Sequence, residues 1–325
     1  MSHAIKLYET GGPDVLRWEP YEPEDPGPGE ALIRHEAVGL NYIDVYHRNG
    51  LYPLPALPAI PGMEGAGVVE AVGDEVTDLR PGDRVAYAGL PPGAYAERRT
   101  LPAHRLVKVP ESIPLRTAAA MMLQGMTVRY LLKGCYPVGA ETTLLVHAAS
   151  GGVGSILCQW AKFLGATVIG TVGTEEKAAL AAGNGCDYPV LYTAGPWVDR
   201  VREITQNRGV DVVYDGVGRA TFMASLDCLR PLGTMVSFGQ ASGSVEPLDL
   251  GVLSRKGSLF LTRPSLMTYT EKREDLLAHA RDLFEVVRTG AVRIEIGQTY
   301  PLREAAAAHR DLEARKTHGS TVLTV

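Results

Sequence analysis

A chain of 325 residues with 45% hydrophobic content has enough apolar material for more than one core, so two domains are expected. Its 32 basic and 37 acidic residues give a net charge of -5 without long runs of one sign, which argues against a nucleic-acid-binding or anionic-membrane-binding surface. Four dispersed cysteines, Cys135, Cys158, Cys186 and Cys228, an N-terminus without a signal-peptide core and no apolar run near the ~20 residues of a membrane span point to a cytoplasmic protein with reduced thiols.

Residues 1–124 read as short strands, at 4–8, 16–18, 31–38, 65–72, 84–88, 94–98 and 106–108, separated by P-E-D-P-G-P-G-E, V-G-D, R-P-G-D-R and L-P-P-G. This is a mostly β domain with barrel-like turn density. Two stretches carry more polar and aromatic groups than a core requires. In G-L-N-Y-I-D-V-Y-H-R-N-G-L-Y, a short helix over 42–47 puts Tyr42 and Tyr46 on one side, with Asn41, Asp44 and Tyr52 nearby. It is either a surface helix capped by Asn41 or part of a site. In P-G-M-E-G-A-G-V-V, Glu64 lies between glycines before an apolar strand, as a turn cap or a carboxylate near a cleft. The spacing of a zinc site is absent from the sequence, and His3, His35, His47, His104, His147, His309 and His318 stand isolated, as surface or hydrogen-bonded structural groups.

After P-E-S-I-P come two helical stretches interrupted at Gln124 and Gly125, the expected hinge. An apolar strand over 142–146 then runs through the small-residue turn 148–152 into a helix over 152–164. Small side chains allow close approach of a ligand, and the first amides of the helix face an anion, so a dinucleotide diphosphate is expected there. Strands at 167–172, 188–191, 210–214, 234–238 and 258–261 alternate with helices at 174–182, 197–207 and 220–229, the rhythm of a parallel sheet covered on both faces. Cys158 and Cys228 fall within these helices as buried thiols.

The second strand ends in Gly173-Thr174, with Lys177 one turn into the following helix and Tyr192 at the end of the next strand. The strand end lacks the carboxylate that selects an unphosphorylated ribose, and Lys177 can meet a 2′-phosphate, so NADP(H) is favoured over NAD(H) although Glu175 and Glu176 stand close by. A long helix carries Leu276, Ala280, Leu283 and Phe284 on one stripe and stops at Gly290. A strand over 292–296, a helix over 304–316 and a strand over 321–325 follow. These elements are too few for a separate domain and are expected to return to the first, giving boundaries of 1–124, 125–265 and 266–325. Arg263 then lies at the second junction, as a cofactor-facing cation or a surface arginine.

From end to end the chain resembles the zinc-independent quinone oxidoreductases, the zeta-crystallin-like branch of the medium-chain dehydrogenase/reductase superfamily. The resemblance is carried by E-A-V-G-L-N-Y-I-D-V-Y-H-R-N-G-L-Y, P-G-M-E-G-A-G-V-V, G-D-R-V-A-Y, L-Q-G-M-T-V, V-H-A-A-S-G-G-V-G, G-T-V-G-T with Lys177, and V-S-F-G-Q-A-S-G. It implies an α/β fold, a Rossmann-type doubly wound parallel sheet plus a GroES-like mostly β domain, with homodimers forming through the Rossmann domain. The implied activity is NADPH-dependent reduction of quinones.

Residue by residue, the resemblance places Asn41, Asp44, Tyr46, Tyr52 and Gln124 in the active cleft and Thr127 at the nicotinamide end. Ala149, Ser150, Gly151, Gly152 and Val153 meet the diphosphate, Lys177 and Tyr192 the 2′-phosphate beside Gly173 and Thr174, and Phe238, Gly239 and Gln240 the nicotinamide ribose. Asn41 and Met63 stand where metal-dependent relatives carry zinc ligands, and A-G-L-P-P-G-A-Y replaces their structural-zinc lobe, so no metal is expected. The alternatives are an NADPH-dependent enone or 2-alkenal reductase and, without enzymatic activity, a nucleic-acid-binding or structural crystallin-like protein, for which the sequence offers no basic stripe.

Overall fold

The computed structural model describes residues 2–325. The chain divides into two compact units, one made of residues up to Met126 with Tyr269–Arg288 and Ile294–Val325, the other of Thr127–Thr268 with Thr289–Arg293. Among the described residues no helix is long and apolar enough to cross a membrane.

The first unit is built on the long strand Glu30–Leu40, whose apolar residues Ala31, Ile33, Val38 and Leu40 are buried. It pairs antiparallel with Glu64–Val72 on one side, and on the other with Arg98–Pro102 and then with Ser320–Thr324 near the C-terminus. Arg84–Ala88 and Val107–Lys108 extend the sheet beyond Glu64–Val72, and Ile296–Pro301 pairs outside Ser320–Thr324. The core joins Ile5, Leu7, Tyr87, Tyr95 and Leu101 to Leu302 and Leu323.

Two expected strands are displaced. The stretch expected as a strand at 94–98 is instead a buried connection in which only Ala96 pairs, by one isolated bridge to Ala4; the strand begins at Arg98. The strand expected at 292–296 is Ile296–Pro301, at the edge of the sheet, where alternating apolar residues are not required.

The expected interruption at Gln124 and Gly125 is also absent: helix Met122–Tyr130 runs through both and passes into a π-turn at Leu131–Cys135. Gly125 serves packing there, since a Cβ would collide with the Leu283 side chain of helix Arg273–Arg288.

In the second unit six parallel strands lie in the order Tyr188–Leu191, Thr167–Val172, Thr143–His147, Val210–Asp215, Leu229–Ser237, Phe260–Thr262. The order reverses between the third and fourth of these, the switch point at which dinucleotides bind in doubly wound sheets. All six residues of Val210–Asp215 are buried, as a central strand covered on both faces requires. Helix Trp197–Ile204 ends before the expected residue 207 because Gln206 and Asn207 adopt left-handed backbone angles, φ 51° and 62°.

Candidate active site

In the first unit, strand Glu30–Leu40 delivers Asn41 to the start of helix Tyr42–Arg48. The Asn41 amide N–H donates to Asp44 Oδ2 at 2.9 Å, as in a capping box. The Asn41 side chain is turned into the protein: Nδ2 donates to Glu64 Oε2 at 2.7 Å, and Oδ1 accepts from Gln124 Nε2 at 3.0 Å. Gln124 Oε1 lies 2.8 Å from Ser320 Oγ, and Glu64 Oε1 accepts from the Leu123 amide at 2.9 Å. The helix is therefore not a surface one; Asp44, Val45, Tyr46, His47 and Arg48 are all buried.

Aromatic rings line the same helix. Tyr46 contacts Tyr52 edge to face at 5.1 Å between centroids and Tyr42 at 6.1 Å, and the Tyr52 amide donates to the Tyr46 carbonyl. The sequence-predicted Asn41, Tyr46, Tyr52 and Gln124 thus gather around one short helix.

Asp44 points elsewhere. Its Oδ2 also accepts from the Tyr95 hydroxyl at 3.2 Å; Tyr95 Oη is 3.0 Å from His309 Nε2, and His309 Nδ1 is 3.2 Å from Arg48 Nη1. Because a guanidinium can only donate, His309 must be the tautomer protonated on Nε2, and the Tyr95 hydroxyl must donate to Asp44. Arg48 is itself held by both oxygens of Glu313 at 2.8 and 2.9 Å. Burial pushes Asp44 up from 3.8 to about 7 and Glu64 from 4.5 to about 8, and holds His309 down near 3. Asp44 Oδ1 is buried and lacks a hydrogen-bond partner.

Sequence reasoning missed Tyr95, Arg48 and Ser320, and gave His309 no partners. Only the isolated histidine in an alanine-rich helix offered a signal, as a surface or a hydrogen-bonded structural group, and the structure shows the second.

The donor set around Asn41 does not suit zinc. An amide nitrogen donating to Glu64 and the fully buried Met63 thioether replace strong zinc donors, and each Glu64 oxygen already accepts an N–H.

In the second unit the turn after Thr143–His147 places Ala148 in the left-handed region at φ 54°, with the Ala149 amide donating to Thr171. Helix Gly152–Phe163 begins at Gly151 without a side-chain cap, so the amides of Gly152 and Val153 face outward at the positive end of the helix dipole, beside buried Ser150. Gly154 packs on the turn, where a Cβ would come 2.7 Å from the Ala149 Cα.

At the next strand end, Thr174 caps helix Glu175–Gly183, its Oγ1 accepting from the Lys177 amide at 3.2 Å. The Tyr192 hydroxyl covers Gly173 so closely that a Cβ there would lie 2.5 Å from it. Gly173, Thr174, Lys177 and Tyr192 thus share one end of the sheet.

After Leu229–Ser237, the Phe238 ring lies over Gly216 and Gly239 packs on the Gly216 backbone. Arg263 Nη1 donates to the carbonyls of Ser237 and Gly239 at 2.9 and 2.8 Å, fastening the turn that leads to Gln240. Asp215 is consumed by the Val217 and Gly218 amides and the Thr221 hydroxyl. His147 bridges Thr171 and Ser225, and burial lowers its pKa. Thr127, buried on helix Met122–Tyr130, belongs to this unit too.

Residues 27–111 match the family described as alcohol dehydrogenase GroES-like domain, and residues 152–280 the one described as zinc-binding dehydrogenase. The chain is 50% identical over 323 residues to the quinone oxidoreductase of Pseudomonas aeruginosa, with 99% of each chain covered. It is 45% identical over 333 aligned positions to the 2-haloacrylate reductase of a Burkholderia species, again with 99% of each covered. The crystal structure of Escherichia coli quinone oxidoreductase complexed with NADPH superimposes with a TM-score of 0.98 at 44% identity, over 99% of this chain and 100% of that one.

Proposed function

The chain belongs to the quinone oxidoreductase family of the medium-chain dehydrogenases/reductases, and we propose from that footing that it is an NADPH-dependent quinone reductase working without a metal. The observation that carries this reading is that, in the first unit, helix Tyr42–Arg48 and the turn after it bear the packed rings of Tyr42, Tyr46 and Tyr52, and the same helix begins at Asn41, whose side-chain oxygen accepts from Gln124. A flat, electron-poor ring packs against aromatic side chains, and its oxygens call for hydrogen-bond donors more than for a strong acid.

Bound NADPH supplies a hydride from C4 of its nicotinamide; a quinone that takes it up with one proton becomes a hydroquinone. The uncapped amides of Gly152 and Val153, with Ala149, Ser150 and Gly151, hold the diphosphate, and Gly173, Thr174, Lys177 and Tyr192 receive the 2′-phosphate. Thr127 and the Phe238–Gly239–Gln240 turn, braced by Arg263, position the nicotinamide riboside. Tyr46, Tyr52 or the Gln124 amide stabilises the developing oxyanion while Asn41 orients the substrate, and Asp44 supports Asn41 from behind.

The test is steady-state oxidation of NADPH and NADH against a panel of quinones and 2-alkenals, with Tyr46→Phe and Tyr52→Phe alongside. Quinone turnover that prefers NADPH and falls in the tyrosine variants supports the reading; unchanged turnover in both variants removes the tyrosines from it. The 2-haloacrylate reductase relative favours a second reading, reduction of an activated alkene, and faster turnover of 2-alkenals than of quinones would select it.

The reading includes a homodimer through the second unit. Strand Phe260–Thr262 ends the parallel sheet with Phe260 61% exposed and Leu261 37% exposed, an apolar edge suited to a second copy. Sedimentation of Phe260→Lys, expected as a monomer, tests it. The four free cysteines favour the cytoplasm.

A further inference from the structure

We propose that Glu64 is the positioning residue of this site: by accepting from Asn41 it sets the direction of the hydrogen-bond chain Ser320, Gln124, Asn41, Glu64, and so decides which N–H of each amide is offered to a substrate. The proposal rests on the quinone-reductase reading for the meaning of that offer, and on the geometry of the first unit for the chain itself.

Asparagine and glutamine amides are nearly symmetric in shape, so either edge fits a given slot and only the partners distinguish oxygen from nitrogen. Here one end of the chain has no such freedom. Glu64 Oε1 accepts from the Leu123 main-chain N–H at 2.9 Å and Oε2 accepts from Asn41 at 2.7 Å, so with Glu64 as the carboxylate the Asn41 edge that faces it is its nitrogen. A protonated Glu64 donates its O–H to the Asn41 oxygen and reverses the chain, so this direction belongs to the carboxylate, and the comparisons below are made above pH 8, where the acid is ionised. The Asn41 oxygen is then turned to Gln124, which presents Nε2 at 3.0 Å, and the Gln124 oxygen is turned to Ser320 Oγ at 2.8 Å, whose single proton is shared with the Ala120 carbonyl, also 2.8 Å away. Each amide nitrogen spends one N–H within the chain and keeps the other for a substrate oxygen.

The surroundings are built to hold this carboxyl group. Glu64 is 0% exposed, and a Cβ on Gly39 would come 2.5 Å from the Ala119 carbonyl and 2.9 Å from the Glu64 carboxyl carbon, so only glycine at 39 leaves the acid its place.

Glu64→Gln keeps the size of the side chain and replaces one oxygen by a donor. Because Leu123 still requires an acceptor, the new nitrogen faces Asn41, and the flip passes along the chain to Gln124 and Ser320. Hydrogen bonds are conserved while the spare N–H groups are repointed. The expected result is kcat for quinones lower by roughly tenfold or more, with NADPH affinity by fluorescence titration and the melting temperature close to those of the unaltered protein. Adding Asn41→Asp to Glu64→Gln gives an acceptor both to the new amide and to Gln124, restores the Gln124 orientation and should raise kcat above that of Glu64→Gln alone; a purely structural role for Glu64 predicts a double variant worse than either single one.

The side-chain NH2 resonances of Asn41 and Gln124 report the flip without any turnover. If the unaltered protein fails to reduce quinones but the resonances shift in Glu64→Gln, the functional reading falls and the positioning chain stands. Unaltered kcat together with unshifted resonances in Glu64→Gln overturns the proposal.

Discussion

The methyl group of Ala149 fills the space that a side chain on residue 170 would need: a Cβ on Gly170 would lie 2.6 Å from the Ala149 Cβ and 2.8 Å from Cys186 Sγ. Diphosphate turns usually open with glycine, and the turn proposed for that role here carries alanine in that place. The methyl is tolerated because the neighbouring strand Thr167–Val172 gives up its own side chain at the point of contact, while the left-handed backbone falls on Ala148, φ 54°.

Gly170→Ala should therefore destabilise the protein by about 1–3 kcal/mol through overpacking, read as a lower melting temperature. Placing Ala149→Gly in the same chain should recover part of the loss, and the remainder should persist because Cys186 still meets the new methyl. Strictly additive effects of the two substitutions would show that the contact is not the cause.

What could be read in the sequence was what local chemistry dictates. The run V-D-V-V-Y-D announced a strand buried on both faces, and the small-residue turn before Gly152–Phe163 announced exposed amides. The chain from Arg48 through His309 and Tyr95 to Asp44 could not be read, because Arg48 and His309 meet across 261 positions and leave no period in between. Gly125 was read as a break because a glycine looks the same whether it frees the backbone or admits a neighbour, here Leu283. Asn41 was legible as a helix cap; its inward side chain depends on Glu64 and Gln124, 23 and 83 residues away.

On the proposed function, Lys177 should separate the two nicotinamide cofactors. Its main chain is fixed by the cap from Thr174, so Lys177→Ala removes a charge without releasing the helix. A lost charge-assisted contact to phosphate, about 1.5–3 kcal/mol, should weaken NADPH binding on the order of tenfold to a hundredfold. NADH binding should hardly change. Isothermal titration with both cofactors checks this, and equal losses for the two would remove Lys177 from the 2′-phosphate site.

Tyr95→Phe should unsettle two buried partners at once. It deprives Asp44 Oδ2 of the hydroxyl donor and leaves the His309 Nε2–H without an acceptor. An unsatisfied buried N–H costs about 1–3 kcal/mol, and the Asp44 proton should be held more tightly because the Tyr95 hydrogen bond favours the ionised form. Chemical denaturation should show both, as a lower midpoint at neutral pH and as a shift of the pH dependence to higher pH. A midpoint equal to that of the unaltered protein would mean that the chain contributes nothing.

That pH dependence has a definite sign. Burial raises Asp44 from 3.8 to about 7 and Glu64 from 4.5 to about 8, so the folded protein keeps protons that the unfolded chain has already lost. The folded state therefore binds more protons than the unfolded one, and stability falls as pH rises through this window, by up to ~1.4 kcal/mol per pH unit for each group. Buried His35 and His309, lowered from 6.5 to about 3, act in the opposite sense: the unfolded chain binds their protons first, and stability rises with pH from about 3 to 6.5. Up to about pH 7.5 the two sets oppose each other, since unfolded histidines, His47, His104 and His147 among them, are still half protonated at pH 6.5; above it the histidines contribute little. Urea midpoints should therefore decline between about pH 7.5 and 8.5, and Glu64→Gln should flatten that decline, Asp44→Asn more weakly. A midpoint that stays level or rises across this interval in the unaltered protein would mean that neither carboxyl holds its proton in the fold.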